Sequence, residues 1–204
     1  MIMNLQRSSV LRCLLTFLLA HFAAYTARAD DMGWRLEQDV DVPSFAVVEP
    51  TSTDLNIDTV VLACEEAGSD RLLQLQLYLS DDGPLRPKGV LASSLKEGPQ
   101  AEISIDGHVF PVALLFADVY AVLADAQAGP FPLLSDQLVE AMQTGKKMTV
   151  RFDLLAERAG EPARFDGEAV IDLRRGGGRE ALTAMRRCAN PASSLGIGTA
   201  QLQR

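Results

Sequence analysis

The segment Arg71-Leu72-Leu73-Gln74-Leu75-Gln76-Leu77-Tyr78-Leu79-Ser80 alternates with a period of two. Leu73, Leu75, Leu77 and Leu79 share one face, and Gln74, Gln76 and Tyr78 lie on the other. Such alternation specifies a β-strand, because a helix would repeat its apolar residues at spacings of three and four. Upstream, Ile57 to Cys64 is a second apolar limb, and Ala67-Gly68-Ser69-Asp70 breaks the run between them. Asn56 to Ser80 therefore predicts a hairpin with a leucine-lined face. A lone two-stranded hairpin is marginal in water, so other parts of the chain must cover that face.

The hairpin also carries Cys64, one of three cysteines. Cys13 falls in a leader-like segment, where Arg7 and Arg12 form a basic n-region and Leu14 to Ala24 an apolar h-region. Ala27-Arg28-Ala29 then gives an A-x-A cleavage site before Asp30. Residues 1–29 thus predict a cleaved secretory signal peptide. The apolar run is short of the roughly 20 residues a membrane-spanning helix needs, which leaves an uncleaved anchor as the alternative. No later apolar run approaches that length, so stable membrane insertion after cleavage is not expected. Cys64 and Cys188 remain after export, and an oxidising compartment favours their pairing as a disulfide. Two buried free thiols, or one thiol used in chemistry, are the competing readings. Closing so long a loop would stabilise by about 4–5 kcal/mol in the chain-entropy model.

The whole chain has 19 basic and 27 acidic residues. The leader removes Arg7, Arg12 and Arg28 and no acid, so the mature balance is sixteen minus 27, or −11. This acidity disfavours nucleic acid and anionic membrane as partners, since both need clustered Lys and Arg. It permits a basic protein partner, and it serves solubility equally well. Composition does not specify an oligomeric state.

Along the chain, Trp34, Leu36, Val40 and Val42 fall on one face of a half-buried strand that Pro43 ends. Phe45 to Val48 predicts a short strand, and Glu49 to Asp54 a loop. Asp81-Asp82-Gly83-Pro84 opens the longest irregular stretch, up to Gln100, with one helical turn expected over Leu91 to Lys96. A loop of that length is either functional or an insertion. Asp106-Gly107 between alternating apolar residues is a strong hairpin signal, because a type I′ turn needs positive φ at both positions. Ala113 to Ala124 suits a strand buried on both faces, or one with a bend near Ala117-Asp118. Ser135 caps a helix expected over Asp136 to Thr144, with Gly145 as its stop. Strands follow over Met148 to Leu154 and Phe165 to Leu173, the latter interrupted at Gly167, where a bulge or close backbone approach is expected. Arg179 to Cys188 predicts the last helix, with Ala181, Leu182, Met185 and Cys188 on its buried stripe.

The layout joins an export signal, an N-terminal Trp strand and a strand ending in Cys64-Glu65. It continues through Lys147-Met148-Thr149-Val150-Arg151-Phe152 and Phe165-Asp166-Gly167 to Glu180-Ala181-Leu182 and Arg187-Cys188. Over roughly Ile57 to Cys188 it resembles small periplasmic β-rich proteins of Gram-negative bacteria, such as invasion-associated locus B proteins and VasI-type accessory proteins of type VI secretion. The resemblance implies a β-sandwich-like envelope protein without a known catalytic centre. It transfers no functional residue, because it lies in the layout and not in a site motif.

Chemistry-bearing patterns are sparse. After cleavage His108 is the one remaining histidine, beside a predicted turn, and it can build neither a multi-histidine zinc site nor a triad alone. Ser93-Ser94-Leu95-Lys96 matches Ser-x-x-Lys of penicillin-recognising enzymes, with Ser135-Asp136-Gln137 a distant echo of their Ser-Asp-Asn. Gly98-Pro99 truncates the helix such a motif needs, however, and Thr144-Gly145-Lys146 runs in the wrong order. The acid pairs Asp39/Asp41, Glu65/Glu66, Asp81/Asp82 and Asp166/Glu168/Asp172 could serve acid–base or calcium chemistry. Alternating acids along a strand are more simply its solvated face.

These readings predict a mainly β fold in one globular domain over residues 30–189. They specify a β-sandwich or partly open barrel with a short helix between strands and a C-terminal helix. Residues 190–204 read as a disordered tail. The expected function is that of an exported, periplasmic or secreted, non-catalytic binding or accessory protein of the bacterial envelope. It needs no cofactor, metal or catalytic residue, and its covalent feature is Cys64–Cys188. The partner is an unidentified protein, of basic character where charge selects it. Two alternatives stand beside this: an acidic inhibitor of a basic hydrolase such as a cell-wall lytic enzyme, and a hydrolase working through carboxylates.

Overall fold

The computed structural model describes residues 33–37, 40–81, 83–117, 119–156 and 165–189. The expected signal peptide and C-terminal tail lie outside the described residues, as do Asp39, Asp82, Asp118 and the turn from Glu157 to Pro162.

Twelve strands are described: β1 (Arg35–Leu36), β2 (Phe45–Val48), β3 (Ser52–Thr53), β4 (Ile57–Ala67), β5 (Asp70–Leu79), β6 (Leu95–Ile105), β7 (His108–Phe116), β8 (Tyr120–Ala124), β9 (Ala126–Ala128), β10 (Phe131–Leu133), β11 (Lys147–Leu155) and β12 (Gly167–Asp172). Ten of them form one antiparallel sheet in the order β1-β2-β4-β5-β8-β7-β6-β11-β12-β3, and β9 and β10 make a separate hairpin.

The order itself forces the sheet to curl. Laid flat, ten strands about 4.8 Å apart would hold β2 and β3 far apart near opposite edges. Yet only Glu49 to Thr51 joins them, and an extended chain gains at most about 3.6 Å per residue. Hydrogen bonds confirm the approach of the two ends. Trp34 Nε1 donates to the Asp172 carbonyl at 3.1 Å, and Thr51 N donates to Val170 at 2.7 Å. The result is a curled half-barrel, the partly open barrel of the two expected architectures.

Its concave side holds the core. Val60, Leu62, Leu75, Leu77, Ile103, Leu123, Met148, Val150, Phe152 and Ile171 are all buried there. Two helices close over it: α1 (Asp136–Thr144) contributes Leu138, Val139 and Met142, and α2 (Gly178–Ala189) contributes Ala181, Leu182, Met185 and Cys188. Ser135 caps α1 as the sequence requires, its Oγ accepting from Leu138 N at 3.2 Å. Cys64 and Cys188 form a disulfide with Cα atoms 6.3 Å apart and a sequence separation of 124. It fastens α2 to the concave face of β4.

Several local expectations need correction. The N-terminal strand stops at Leu36, and Val40 and Val42 are exposed. The Glu37 carboxylate accepts from both N and Oγ of Ser44, which folds the chain back before Val40 can pair. The loop expected up to Gln100 ends at Ser94 with a single 3-10 turn (Ala92–Ser94), because β6 already begins at Leu95. Ser52 and Thr53, expected in a loop, form β3 against Val170 and Ala169. Ala113 to Ala124 is two strands, and their second face is only partly covered. Gly167 is the close approach that was expected: a Cβ there would lie 2.4 Å from Leu55 Cδ2.

Candidate binding surface

Strand pairing transfers the alternation of β5 to its neighbours, so the register defines the convex face of this half of the sheet. Ala63 lies opposite Gln74, Val61 opposite Gln76 and Thr59 opposite Tyr78. On the other flank Gln76 faces Val122, and Tyr78 faces Tyr120. Leu115 and Ala113 of β7 continue the rows beyond β8, and Val47 and Phe45 of β2 continue them beyond β4. The face opposite the core is therefore built of Val47, Val61, Val122, Leu115 and small residues, with two glutamines at its centre.

Those glutamines are the unusual feature. Gln76 is 3% exposed and Gln74 8%, although both sit on the side the sequence assigns to solvent. The amide of Gln76 donates to Glu65 Oε1 at 2.9 Å and to Gln74 Oε1 at 3.4 Å. Tyr78 Oη donates to Gln76 Oε1 at 3.5 Å, and Gln74 Nε2 donates to the Pro132 carbonyl at 2.8 Å. The ladder thus satisfies the buried amides, as buried polar groups require, and holds the β9–β10 hairpin against the sheet. Tyr78 and Tyr120 stack with ring centroids 5.3 Å apart. Burial raises the Tyr78 hydroxyl above the usual tyrosine range, helped by Tyr120 and by the Glu65 charge.

The electrostatics of the two convex halves differ. Over β6, β11 and β12 the outward residues include Glu102, Arg151 and Glu168, and Arg151 pairs with Glu102 and stacks over Phe165 at 5.0 Å. Over β4, β5 and β8 no Lys or Arg points outward. Among the described residues Glu65 has no cationic partner, its contact being the Gln76 amide. At the β1 end, Glu37 is held below the ordinary carboxylate range by hydrogen bonds from Ser44. Where β8 turns into β9, Pro111, Ala113, Leu115, Ala124 and Pro132 border a shallow depression of about 470 Å³.

A second hollow of about 420 Å³ lies at the disulfide end, between the β4–β5 turn, the β9–β10 hairpin and both helices. Leu72, Phe131, Leu133 and Val139 line it, with Arg71 and Arg186 at its margin. Arg71 is occupied there, lying 3.3 Å from Cys188 Sγ and 3.3 Å from Glu66.

The reactive patterns singled out in the sequence are dispersed. Ser93 is exposed on its 3-10 turn, whereas Lys96 pairs with the buried Asp153 at 2.5 Å. Ser135 is engaged by the α1 N-terminus and by Asp125. His108 is exposed beside the Asp106-Gly107 turn. Several acids serve as acceptors for backbone N–H groups. Asp166 takes Leu154 and Leu155, Asp172 takes Arg174 and Arg175, Asp106 takes Lys146 and Lys147, and Asp54 takes Glu168. Asp81 pairs with Arg86 and accepts from Asn56. No group of three or more His, Cys, Asp or Glu among the described residues could hold a metal ion.

Sequence reasoning missed the glutamine ladder and the β9–β10 hairpin. A signal was present, since Gln74 and Gln76 interrupt an otherwise apolar segment without any charge, unlike the acids of Asp39 and Asp41.

Fold and surface together define a disulfide-bonded, antiparallel half-barrel with an apolar convex patch. Comparison with known protein families, with curated proteins and with solved structures finds no match.

Proposed function

We propose that the chain is an exported, non-catalytic binding protein of the bacterial envelope, acting in the periplasm or after secretion. Its docking surface is the convex face of β2, β4, β5, β8 and β7, and its partner is a protein presenting a cationic, apolar segment. The carrying observation is that this face is apolar around two buried glutamines and bears the carboxylates of Glu65 and, at its end, Asp70, neither in an ion pair among the described residues. A merely solvated face would carry mixed charges, as the opposite half of the sheet does. The chemistry of the partner follows from complementarity: valine and leucine accept apolar side chains, and Glu65 with the net charge of the chain draws Lys or Arg.

Export is supported by the leader-like N-terminus and by the disulfide, which persists in oxidising compartments. Among the described residues, no helix is long and apolar enough to cross a membrane.

Calorimetric titration of residues 30–204 with the peptide Lys-Val-Lys-Val-Lys-Val tests the reading. Val61→Lys and Glu65→Gln should each weaken binding by about tenfold, the size of one lost charge-assisted contact. Binding should also fall as salt rises. Equal affinity in wild type and both variants would contradict it. N-terminal sequencing of the protein from fractionated bacteria tests the address: Asp30 first, in the periplasm or medium, is expected, and Met1 in the cytosol would contradict it.

A further inference from the structure

We infer that the β7 edge from Leu114 to Phe116 receives an extended strand of the partner, so that docking on the convex face is completed by strand addition. This rests on the functional reading above and specifies how the partner is held.

The inference comes from backbone parity. Asp106 (φ 48°) and Gly107 (φ 93°) form a two-residue turn, so Ile105 and His108 close it as a hydrogen-bonded pair. In an antiparallel ladder every second residue then directs its N–H and C=O toward the same neighbour. His108, Phe110 and Val112 thus face β6, and Val109, Pro111, Ala113 and Leu115 face away from it. Two observations agree. Pro111, which has no N–H, lies where no strand among the described residues pairs on that side. Ala117, of the same parity, donates to the Tyr120 carbonyl of the β8 side at 2.9 Å.

By this parity Leu114 and Phe116 direct their N–H and C=O toward the continuation of β6. Among the described residues no strand is paired there. The β6–β7 register ends at Ala101 and Val112, and the first half of β6 pairs with β11 alone. The two strands part at that point, and β7 continues against β8 only. Phe116 is 53% exposed and Leu115 37%, so the edge is open to solvent. Natural sheets blunt such edges with charge or proline. Pro99 does this on the β6 side, whereas Ala113-Leu114-Leu115-Phe116 carries neither.

The free groups are those of an extended backbone, so they select an extended peptide and not a helix. A second copy of this chain is disfavoured, since each copy is acidic, with a net charge of −8 even with the leader included. A cationic strand meets no such repulsion. Laid along β7, it would carry alternate side chains beside Leu115 on the convex face.

Amide hydrogen exchange of residues 30–204 with and without Lys-Val-Lys-Val-Lys-Val tests this. The peptide should slow exchange at Leu114 and Phe116 about tenfold or more, as formation of backbone hydrogen bonds would. A peptide N-methylated at alternate residues should lose binding by a similar factor. Phe116→Pro removes the free N–H and should weaken binding, whereas Phe116→Ala retains that donor and the protection. Binding that depends on Glu65 but leaves the Leu114 and Phe116 amides unprotected would overturn strand addition and leave the convex-face reading intact. No binding would overturn both. Protection of Leu114 and Phe116 in a complex indifferent to Glu65→Gln would overturn the charge-selected convex-face reading alone, because Glu65 lies on β4, three strands from β7.

Discussion

The side-chain amide of Gln76 lies 2.9 Å from the carboxylate of Glu65, across two paired strands and on the face turned away from the core. Gln76 is nearly fully buried there and also accepts from Tyr78. Gln76→Ala should therefore cost about 1–3 kcal/mol, the range for leaving buried polar partners unsatisfied. Gln76→Glu should be worse, because it sets a second carboxylate beside Glu65. Urea denaturation checks both; midpoints equal to wild type would show that the ladder carries no stability.

The disulfide gives a second prediction. Cys64→Ser should lower stability under oxidising conditions by about 2–5 kcal/mol. Reductant should lower the Tm of the wild type and leave that of the variant unchanged. Equal melting temperatures with and without reductant would contradict the stabilising role.

A third concerns the Lys96–Asp153 pair, whose side chains are 17% and 7% exposed. Lys96→Ala should destabilise by about 3–5 kcal/mol, because it leaves Asp153 buried without its cation. The double variant Lys96→Met with Asp153→Leu should recover most of that loss, since an apolar pair carries no desolvation cost. If the single variant matches wild type in urea, the pair is not a buried ion pair in solution.

Asp106 supplies a pH prediction. Backbone N–H groups of Lys146 and Lys147 hold its carboxyl below the ordinary range. A lowered folded-state value contributes stability that is fully present above the unfolded value of about 3.9. That stability is lost as the pH falls through the folded value. Asp106→Asn should therefore be less stable than wild type at pH 7, with the gap closing on acidification below that range. A gap independent of pH would show that the carboxylate charge is not what these amides recognise.

Much of the architecture was legible because it is written locally. The leucine alternation of β5, the Asp106-Gly107 turn and the Ser135–Gly145 frame of α1 each depend on neighbouring residues, and each stands where the sequence put it. The Cys64–Cys188 pairing was legible for a different reason, since the two cysteines outside the expected leader allow one intramolecular bond. What escaped is non-local. Gln74 and Gln76 read as solvent-facing because they are polar, and it is distant parts of the chain, Val61 and Val122 on the flanking strands and Pro132 of the β9–β10 hairpin, that cover them. The β9–β10 hairpin is three residues a side with a proline in it, too short for a period to show. The failure at Val40 and Val42 is likewise one of context, since Glu37 turns the chain toward Ser44.

The most direct measurement is methyl chemical-shift mapping of residues 30–204 during titration with Lys-Val-Lys-Val-Lys-Val. Shifts concentrated at Val47, Val61 and Leu115 are expected, and they should vanish in Val61→Lys. Shifts centred on Leu133 and Val139 in the hollow beside the disulfide, or none at any of these methyls, would contradict the assignment of the convex face as the docking surface.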